Sequence, residues 1–193
     1  TDTAVNTGPH SPPLHLGATG FININFDYAL LFSTLAMLDM PWRFTWAGGL
    51  RQPEDAWLLE KIREDISRRR WEDRFTITGW VDESEQLRLL KSLDIYLAFF
   101  KHRSSSGSLC MAMSAGLPII ATELPLIKDI NADSKLVCAI QPEPQEAIKN
   151  IYCLADRPAF REKLTLAVKK YSHENSFENM SKKLLNVYAH LIH

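Results

Sequence analysis

Short apolar runs alternate with amphipathic segments along this chain, and this alternation constrains its fold more than any other feature. Strands are predicted at residues 14–21, 42–47, 74–81, 95–100, 118–122 and 136–140. Helices are predicted at 26–38, at 54–66, after Asp82, across 142–171 with a break near Pro158, and from Ser176 onward. Asp82 with Glu85 three residues later predicts a capping box, in which each side chain accepts from the backbone N–H of the other residue. Strands joined by helices of this length form right-handed crossovers. The sequence therefore predicts an α/β fold, a doubly wound parallel sheet with helices on both faces.

Composition sets the domain count. A chain of 193 residues that is 46% hydrophobic can bury the core of one domain. Residues 1–13 are polar and contain Pro and Gly, which predicts a flexible N-terminal linker before a single domain at 14–193.

Charge and cysteine content exclude several classes of function. The formal charge of −1 gives no general attraction to nucleic acid, and Arg68, Arg69 and Arg70 are interpreted as a solvated helix end. The three cysteines include no close pair, so we expect neither a disulfide framework nor a metal site, and a reducing, cytoplasmic setting. No run approaches the ~20 apolar residues of a transmembrane segment, and the N-terminus lacks a signal-peptide pattern.

A loop of small residues between two predicted strands is the strongest functional signal. It leads into a helix, whose first turn has unpaired backbone N–H groups and a partial positive charge, so it can hold a phosphate. The predicted phosphate-binding residues are Lys101, Arg103, Ser104, Ser105, Ser106, Gly107, Ser108 and Leu109. The alternative is an ordinary helix start, at which the serines only cap N–H groups.

Other loops are predicted to meet this one, because ligands of such sheets bind at the carboxyl ends of the strands. The segments 17–25, 48–51, 79–80 and 122–125 all follow predicted strands. Gly17 is a candidate for contact with a ligand. Trp80 is a candidate for stacking on a base, with burial in the core as the alternative.

Three segments carry a resemblance to a known family. They are residues 79–87 (Gly-Trp-Val-Asp-Glu-Ser-Glu-Gln-Leu), 93–96 (Leu-Asp-Ile-Tyr) and 111–122 (Met-Ala-Met-Ser-Ala-Gly-Leu-Pro-Ile-Ile-Ala-Thr). In order and spacing they resemble the C-terminal, donor-binding half of the family-four, or group 1, glycosyltransferases, which are retaining enzymes of the GT-B architecture. The resemblance covers roughly residues 14–192.

This resemblance implies a Rossmann-like domain that binds a UDP- or GDP-linked nucleotide sugar without a further cofactor, with the loop above as its donor and phosphate site. Glu123 lies near the position of a family loop that touches the donor. The active site of a GT-B enzyme lies between two domains. The resemblance therefore implies a missing N-terminal acceptor domain, a glycan or lipid-linked acceptor, and no turnover by this chain alone. The final helix corresponds to the one that crosses back to the acceptor domain.

The chain also departs from the family pattern. Arg103 and Met111 occupy the positions of two family glutamates, which contact the donor sugar and the ribose. The loop after the first strand lacks the family's Arg and Lys, although Phe26-Asp27-Tyr28 resembles a divergent subset. We expect Arg103 and Lys101 to supply the phosphate charge instead. Two alternatives stay open: a non-catalytic nucleotide- or glycan-binding module, and a sheet of unrelated use.

Overall fold

A six-stranded parallel sheet forms the centre of the computed structural model, which describes residues 12–191. Its strands are β1 (Leu14–Thr19), β2 (Trp42–Ala47), β3 (Phe75–Ile77), β4 (Ile95–Ala98), β5 (Ile119–Thr122) and β6 (Cys138–Ile140). The helices are α1 (Tyr28–Ala36), α2 (Ala56–Arg68), α3 (Glu83–Lys91), α4 (Gly107–Ser114), α5 (Pro125–Ile130), α6 (Pro144–Asp156), α7 (Pro158–Glu174) and α8 (Phe177–Leu191). All strand pairings are parallel, which confirms the predicted fold class. The linker predicted at 1–13 lies outside the described residues, apart from Pro12 and Pro13.

Strand order determines where a ligand can bind. The order across the sheet is β3-β2-β1-β4-β5-β6, so the chain winds in one direction from β1 to β3 and in the other from β4 to β6. The direction reverses between β1 and β4, where a crevice opens at the carboxyl ends of the strands. The fully buried Tyr96 joins the two strands there, since its hydroxyl lies 3.3 Å from Oγ1 of Thr19.

Several elements are shorter than predicted, for local reasons. Helix α1 begins after Asp27, whose carboxylate accepts a hydrogen bond from the Leu30 N–H at 3.0 Å. Strand β3 ends at Ile77, and the chain turns away at Gly79, where φ is +72°. Helix α5 was not predicted; it has only six residues and no side-chain cap.

The start of α3 differs in one detail from the expected reciprocal cap. Asp82 accepts from the Glu85 N–H at 2.8 Å, as predicted. Glu85 does not bond back to the Asp82 N–H, because its carboxylate accepts two hydrogen bonds of 2.6 Å from Arg88. The reciprocal half of the predicted capping box is therefore wrong.

Helix α8 has an apolar face that packs on nothing in the described structure. Its exposed apolar residues are Phe177, Met180, Leu184, Leu185, Val187 and Tyr188. Exposure of this extent typically marks an interaction surface. None of the helices within residues 12–191 is long and apolar enough to span a bilayer.

His15 is a buried titratable group in β1. Its Nδ1 lies 2.8 Å from the Ser92 carbonyl oxygen and its Nε2 lies 2.9 Å from Oγ1 of Thr45. A neutral ring satisfies both contacts by donating from Nδ1 and accepting at Nε2. Burial lowers the pKa of His15 below its ordinary value of 6.5.

This pKa predicts a loss of stability in acid. Because the unfolded chain binds the proton more tightly, the free energy of unfolding should fall as the pH drops below 6.5 toward the folded-state pKa of His15. Denaturant titrations at pH 7.5 and 5 measure this difference, and His15→Gln should reduce it. His102→Gln removes an exposed histidine and should leave the difference unchanged. Equal pH dependence in the wild type and His15→Gln would contradict the prediction.

Candidate functional site

A cavity of about 470 Å³ opens at the predicted carboxyl edge of the sheet, where the direction of winding reverses. Its walls come from the ends of β1, β2 and β3, from the loop after β4 and from the start of α4. Of the predicted site residues, it brings together Trp80, Arg103, Ser105, Ser106, Gly107 and Ser108. The volume falls within the usual range of ligand sites.

The start of α4 presents free backbone donors to this cavity. Oγ of Ser106 accepts a hydrogen bond from the Leu109 N–H at 3.2 Å, so Ser106 caps the helix. Within the described part of the chain, no hydrogen bond engages the N–H groups of Gly107 and Ser108. A Cβ atom at Gly107 would meet nothing within 4 Å. Capping and an open anion-binding helix end therefore coexist at this turn.

Two arginines line the cavity, and no acidic residue among the described residues lines it with them. Arg103 lies over the Phe100 ring, 5.3 Å from its centroid, and its Nε is buried without a hydrogen-bond partner. Arg51 lies over the Phe21 ring at 5.6 Å. Neither arginine belongs to an ion pair within residues 12–191. The cavity therefore carries positive charge that the described residues do not neutralise.

The end of the cavity beside β3 is aromatic. Trp80 is 68% exposed, and its ring N–H donates to the Leu50 carbonyl at 3.1 Å. The Phe21 ring packs edge-on against the Trp80 ring, with 5.1 Å between the ring centroids. The alternative that Trp80 belongs to the core is wrong, because the turn at Gly79 takes the chain out of the sheet before this residue.

The structure places four predicted site residues away from the cavity. Lys101 lines a neighbouring cavity instead. Ser104 is exposed and outside the lining. Leu109 is 1% exposed and packs in the core. Glu123 accepts from Gln141 at 2.7 Å and pairs with Lys128 at 3.1 Å.

Gly17 is also placed away from the cavity, within β1. A Cβ atom there would lie 2.6 Å from a Leu93 methyl and 2.8 Å from the Thr45 carbonyl oxygen, so this glycine serves packing. Gly20, at the end of the strand, lines the cavity in its place. A side chain at Gly20 would contact Ser108 at 3.5 Å, so the first loop approaches the start of α4 closely.

Arg51 is the main cavity residue that the sequence analysis did not assign. The segment 48–51 was expected at this edge, and a cation two residues after a Gly-Gly strand end was the available signal. Met111 also lines the cavity and is half-buried.

The fold is of the Rossmann-like class, with its cleft at the carboxyl edge of the sheet. Residues 16–157 match the family model described as glycosyl transferases group 1. The match covers well over half of the chain, and the chain therefore belongs to the group 1 glycosyltransferases. A search of curated proteins found no significant match.

Solved structures share this fold at low sequence identity. HepE from Anabaena, determined in complex with UDP and glucose, superposes with a TM-score of 0.79 at 14% identity over 92% of this chain and 48% of HepE. The C-terminal domain of LpcC, a group 1 glycosyl transferase from Francisella tularensis, gives 0.70 at 15% identity over 84% of this chain and 85% of that domain. Sucrose-phosphate synthase from Thermosynechococcus elongatus gives 0.78 at 17% identity over 93% of this chain and 45% of the synthase. The chain spans about half the length of HepE and the synthase, and its fold is that of the C-terminal half of the GT-B architecture.

Proposed function

We propose that this chain is the nucleotide-sugar-binding domain of a retaining glycosyltransferase, and that the cavity holds a UDP- or GDP-linked donor. The observation that carries the proposal is the start of α4, where Gly107 and Ser108 line the cavity. Among residues 12–191, no hydrogen bond engages their N–H groups, the two arginines of the lining have no ion-pair partner, and no carboxylate lines the cavity. A diphosphate needs this combination of donors and positive charge.

The strand order suggests how the donor lies. Trp80 follows β3, Arg51 follows β2, Phe21 follows β1 and Arg103 follows β4, so these side chains are ordered along the sheet edge. Three strand spacings separate β3 from β4, a span of about 14 Å. We place the base against Trp80 and Phe21, and the diphosphate at Gly107 and Ser108, where Arg51 and Arg103 supply positive charge. The complexes of HepE with UDP and with UDP-glucose support this class of ligand.

We further propose that sugar transfer requires an acceptor domain that faces this cavity, and that this chain alone binds the donor without turning it over. HepE has about twice the length of this chain. The exposed apolar face of α8 offers a surface on which such a domain would pack. Transfer depends on holding both substrates in one closed cleft, which one half does not form. The acceptor would be a glycan or a lipid-linked molecule.

One observation favours a second candidate function, a non-catalytic nucleotide- or glycan-binding module. No acidic residue among the described residues lines the cavity, and Met111 offers no strong acceptor to a ribose hydroxyl. A non-catalytic nucleotide-binding module would bind the nucleotide as the first candidate does, and would differ from it in transfer by a protein that contains both domains. A glycan-binding module would not bind the nucleotide.

Calorimetric titration with UDP, GDP and their sugar conjugates tests the proposal. We expect saturable binding of a nucleoside diphosphate, together with NMR shifts of the backbone amides of Ser106, Gly107 and Ser108. Adenosine monophosphate, which lacks the diphosphate, is the control ligand. If the full panel leaves these amides unmoved at millimolar concentration, the phosphate site is wrong.

Met111 provides a prediction about the ribose. In Met111→Glu a carboxylate would accept a ribose hydroxyl, and donor binding should tighten by about 0.5–1.5 kcal/mol. Met111→Leu keeps an apolar side chain of similar volume and should be nearly neutral. Calorimetry of both variants with the same donor makes the comparison. A folded glutamate variant that binds no tighter than the leucine variant would mean that the ribose does not approach this position.

A further inference from the structure

A second cavity, of about 430 Å³, lies beside the first, and Phe26 lines both. The loop before α1, helix α1, helix α2 and Lys101 enclose it. The residues to which the donor is assigned under the proposed function (Phe21, Arg51, Trp80, Arg103, Gly107 and Ser108) do not line it, so an occupant of this cavity would be distinct from the donor.

The floor of this second cavity is apolar. Phe26, Phe32, Leu58 and Ile62 line it and are buried. Trp57 also lines it and is 54% exposed, and Ile24 is 61% exposed. An apolar chain entering the cavity would therefore cover exposed apolar surface before it reaches the floor.

The lining is positively charged. Of the residues that the structure describes, it contains Lys61, Arg69 and Lys101 and one carboxylate, Asp65, which pairs with Arg68. Arg69 lies 5.8 Å from the centroid of the Phe32 ring. Within residues 12–191, neither lysine belongs to an ion pair. The two lysines can therefore receive an anion without losing an existing partner.

Among the described residues, the uncharged polar side chains of the lining are those of Ser33 and Tyr28, and the Tyr28 hydroxyl is itself buried. The polar side chains of the lining are chiefly cationic donors, so a sugar, whose hydroxyls also need acceptors, would find few partners. A hydrocarbon chain carries no such groups. The combination of apolar floor and unpaired lysines fits a molecule with an apolar chain and one anionic end.

We propose that the second cavity binds an anionic single-chain amphiphile, an alkyl or prenyl phosphate. Its phosphate contacts Lys61 and Lys101, and its chain crosses Trp57 onto the floor. This site is separate from the donor site and does not depend on nucleotide binding.

Decyl phosphate, used below its micelle concentration, is the probe. Calorimetry should show one bound molecule, with an affinity at least about a hundredfold above that of inorganic phosphate, which lacks the chain. Decanol, which lacks the charge, should bind at least several-fold more weakly than decyl phosphate. Equal binding by decanol would reduce the site to an apolar pocket and overturn the proposal. So would equal binding by inorganic phosphate.

Variants locate the bound molecule. Lys61→Gln with Lys101→Gln should weaken decyl phosphate roughly tenfold, and Trp57→Ala should weaken it as well. Lys149→Gln removes an exposed lysine from α6 and should change nothing. The proposal would be overturned if the double variant bound decyl phosphate as tightly as the wild type. It would also be overturned if decyl phosphate shifted NMR signals of α8 only and left the Trp57 indole signal unchanged. Titration of UDP into Lys61→Gln tests the donor site alone. A failure of nucleotide binding is therefore distinguished from a failure of decyl phosphate binding.

Discussion

Replacing Arg51 and Arg103 together by alanine should weaken UDP binding by about 3–6 kcal/mol, a hundredfold or more. Both arginines line the cavity without an ion-pair partner among the described residues, and a hydrogen bond to a charged group is worth about 1.5–3 kcal/mol. Calorimetry on the double variant measures the loss. Raising the salt concentration should weaken UDP binding to the wild type and reduce the difference in affinity between the wild type and the double variant, because salt screens the contacts between the arginines and the diphosphate.

Arg63→Ala is the matched control, because it removes an exposed arginine from α2. It should bind UDP like the wild type. The single variants also show whether both arginines meet one diphosphate, since residues that share a partner give non-additive losses. If the double variant folds and binds UDP with the wild-type affinity, the two arginines do not bind the diphosphate and serve solubility or packing instead.

Gly48→Ala should destabilise the domain by about 2–6 kcal/mol and remove nucleotide binding with it. Gly48 has φ of +151°, and a Cβ atom there would lie 2.1 Å from the Gly20 carbonyl oxygen. That same oxygen accepts the ring N–H of Trp46 at 2.9 Å. The methyl group therefore strains the backbone and separates the two loops that form the cavity wall.

Gly107→Ala provides the contrast for this prediction. Its Cβ atom would enter open space, so the free energy of unfolding, measured in denaturant, should stay close to that of the wild type. The new methyl group would stand at the free N–H groups of α4, and UDP binding should weaken. If Gly48→Ala and Gly107→Ala were equally stable, the contact between Gly20 and Gly48 would not determine stability.

Local patterns in the sequence predicted most of the fold. The apolar runs of β4 and β5 are fully buried strands, and the four-residue spacing of Leu58, Ile62 and Ile66 forms the buried face of α2. The first feature follows from continuous apolar runs and the second from the 3.6-residue period of a helix, and both are properties of neighbouring positions. The Ser106 cap is local in the same sense.

The residues that line the cavity were much harder to predict. Lys101 and Arg103 are two residues apart and were assigned to one phosphate site, yet they line different cavities. The Lys101 N–H donates to the Asn25 carbonyl at 2.8 Å, and Phe100 pairs with Phe26 just before it. These contacts with the loop before α1 hold Lys101 on the far side of Phe26.

The sequence by itself determined the element types and the parallel sheet, because periodicity, caps and turn residues act over a few positions. It indicated the group 1 family through the resemblance carried by residues 79–87, 93–96 and 111–122. Only the tertiary structure decided that Arg51 joins Arg103, that Trp80 stands in solvent and that Gly20 replaces Gly17 at the site. Those facts depend on strand order and on where each strand ends. Both are fixed by the packing of segments that lie far apart in the chain, which a local pattern does not encode.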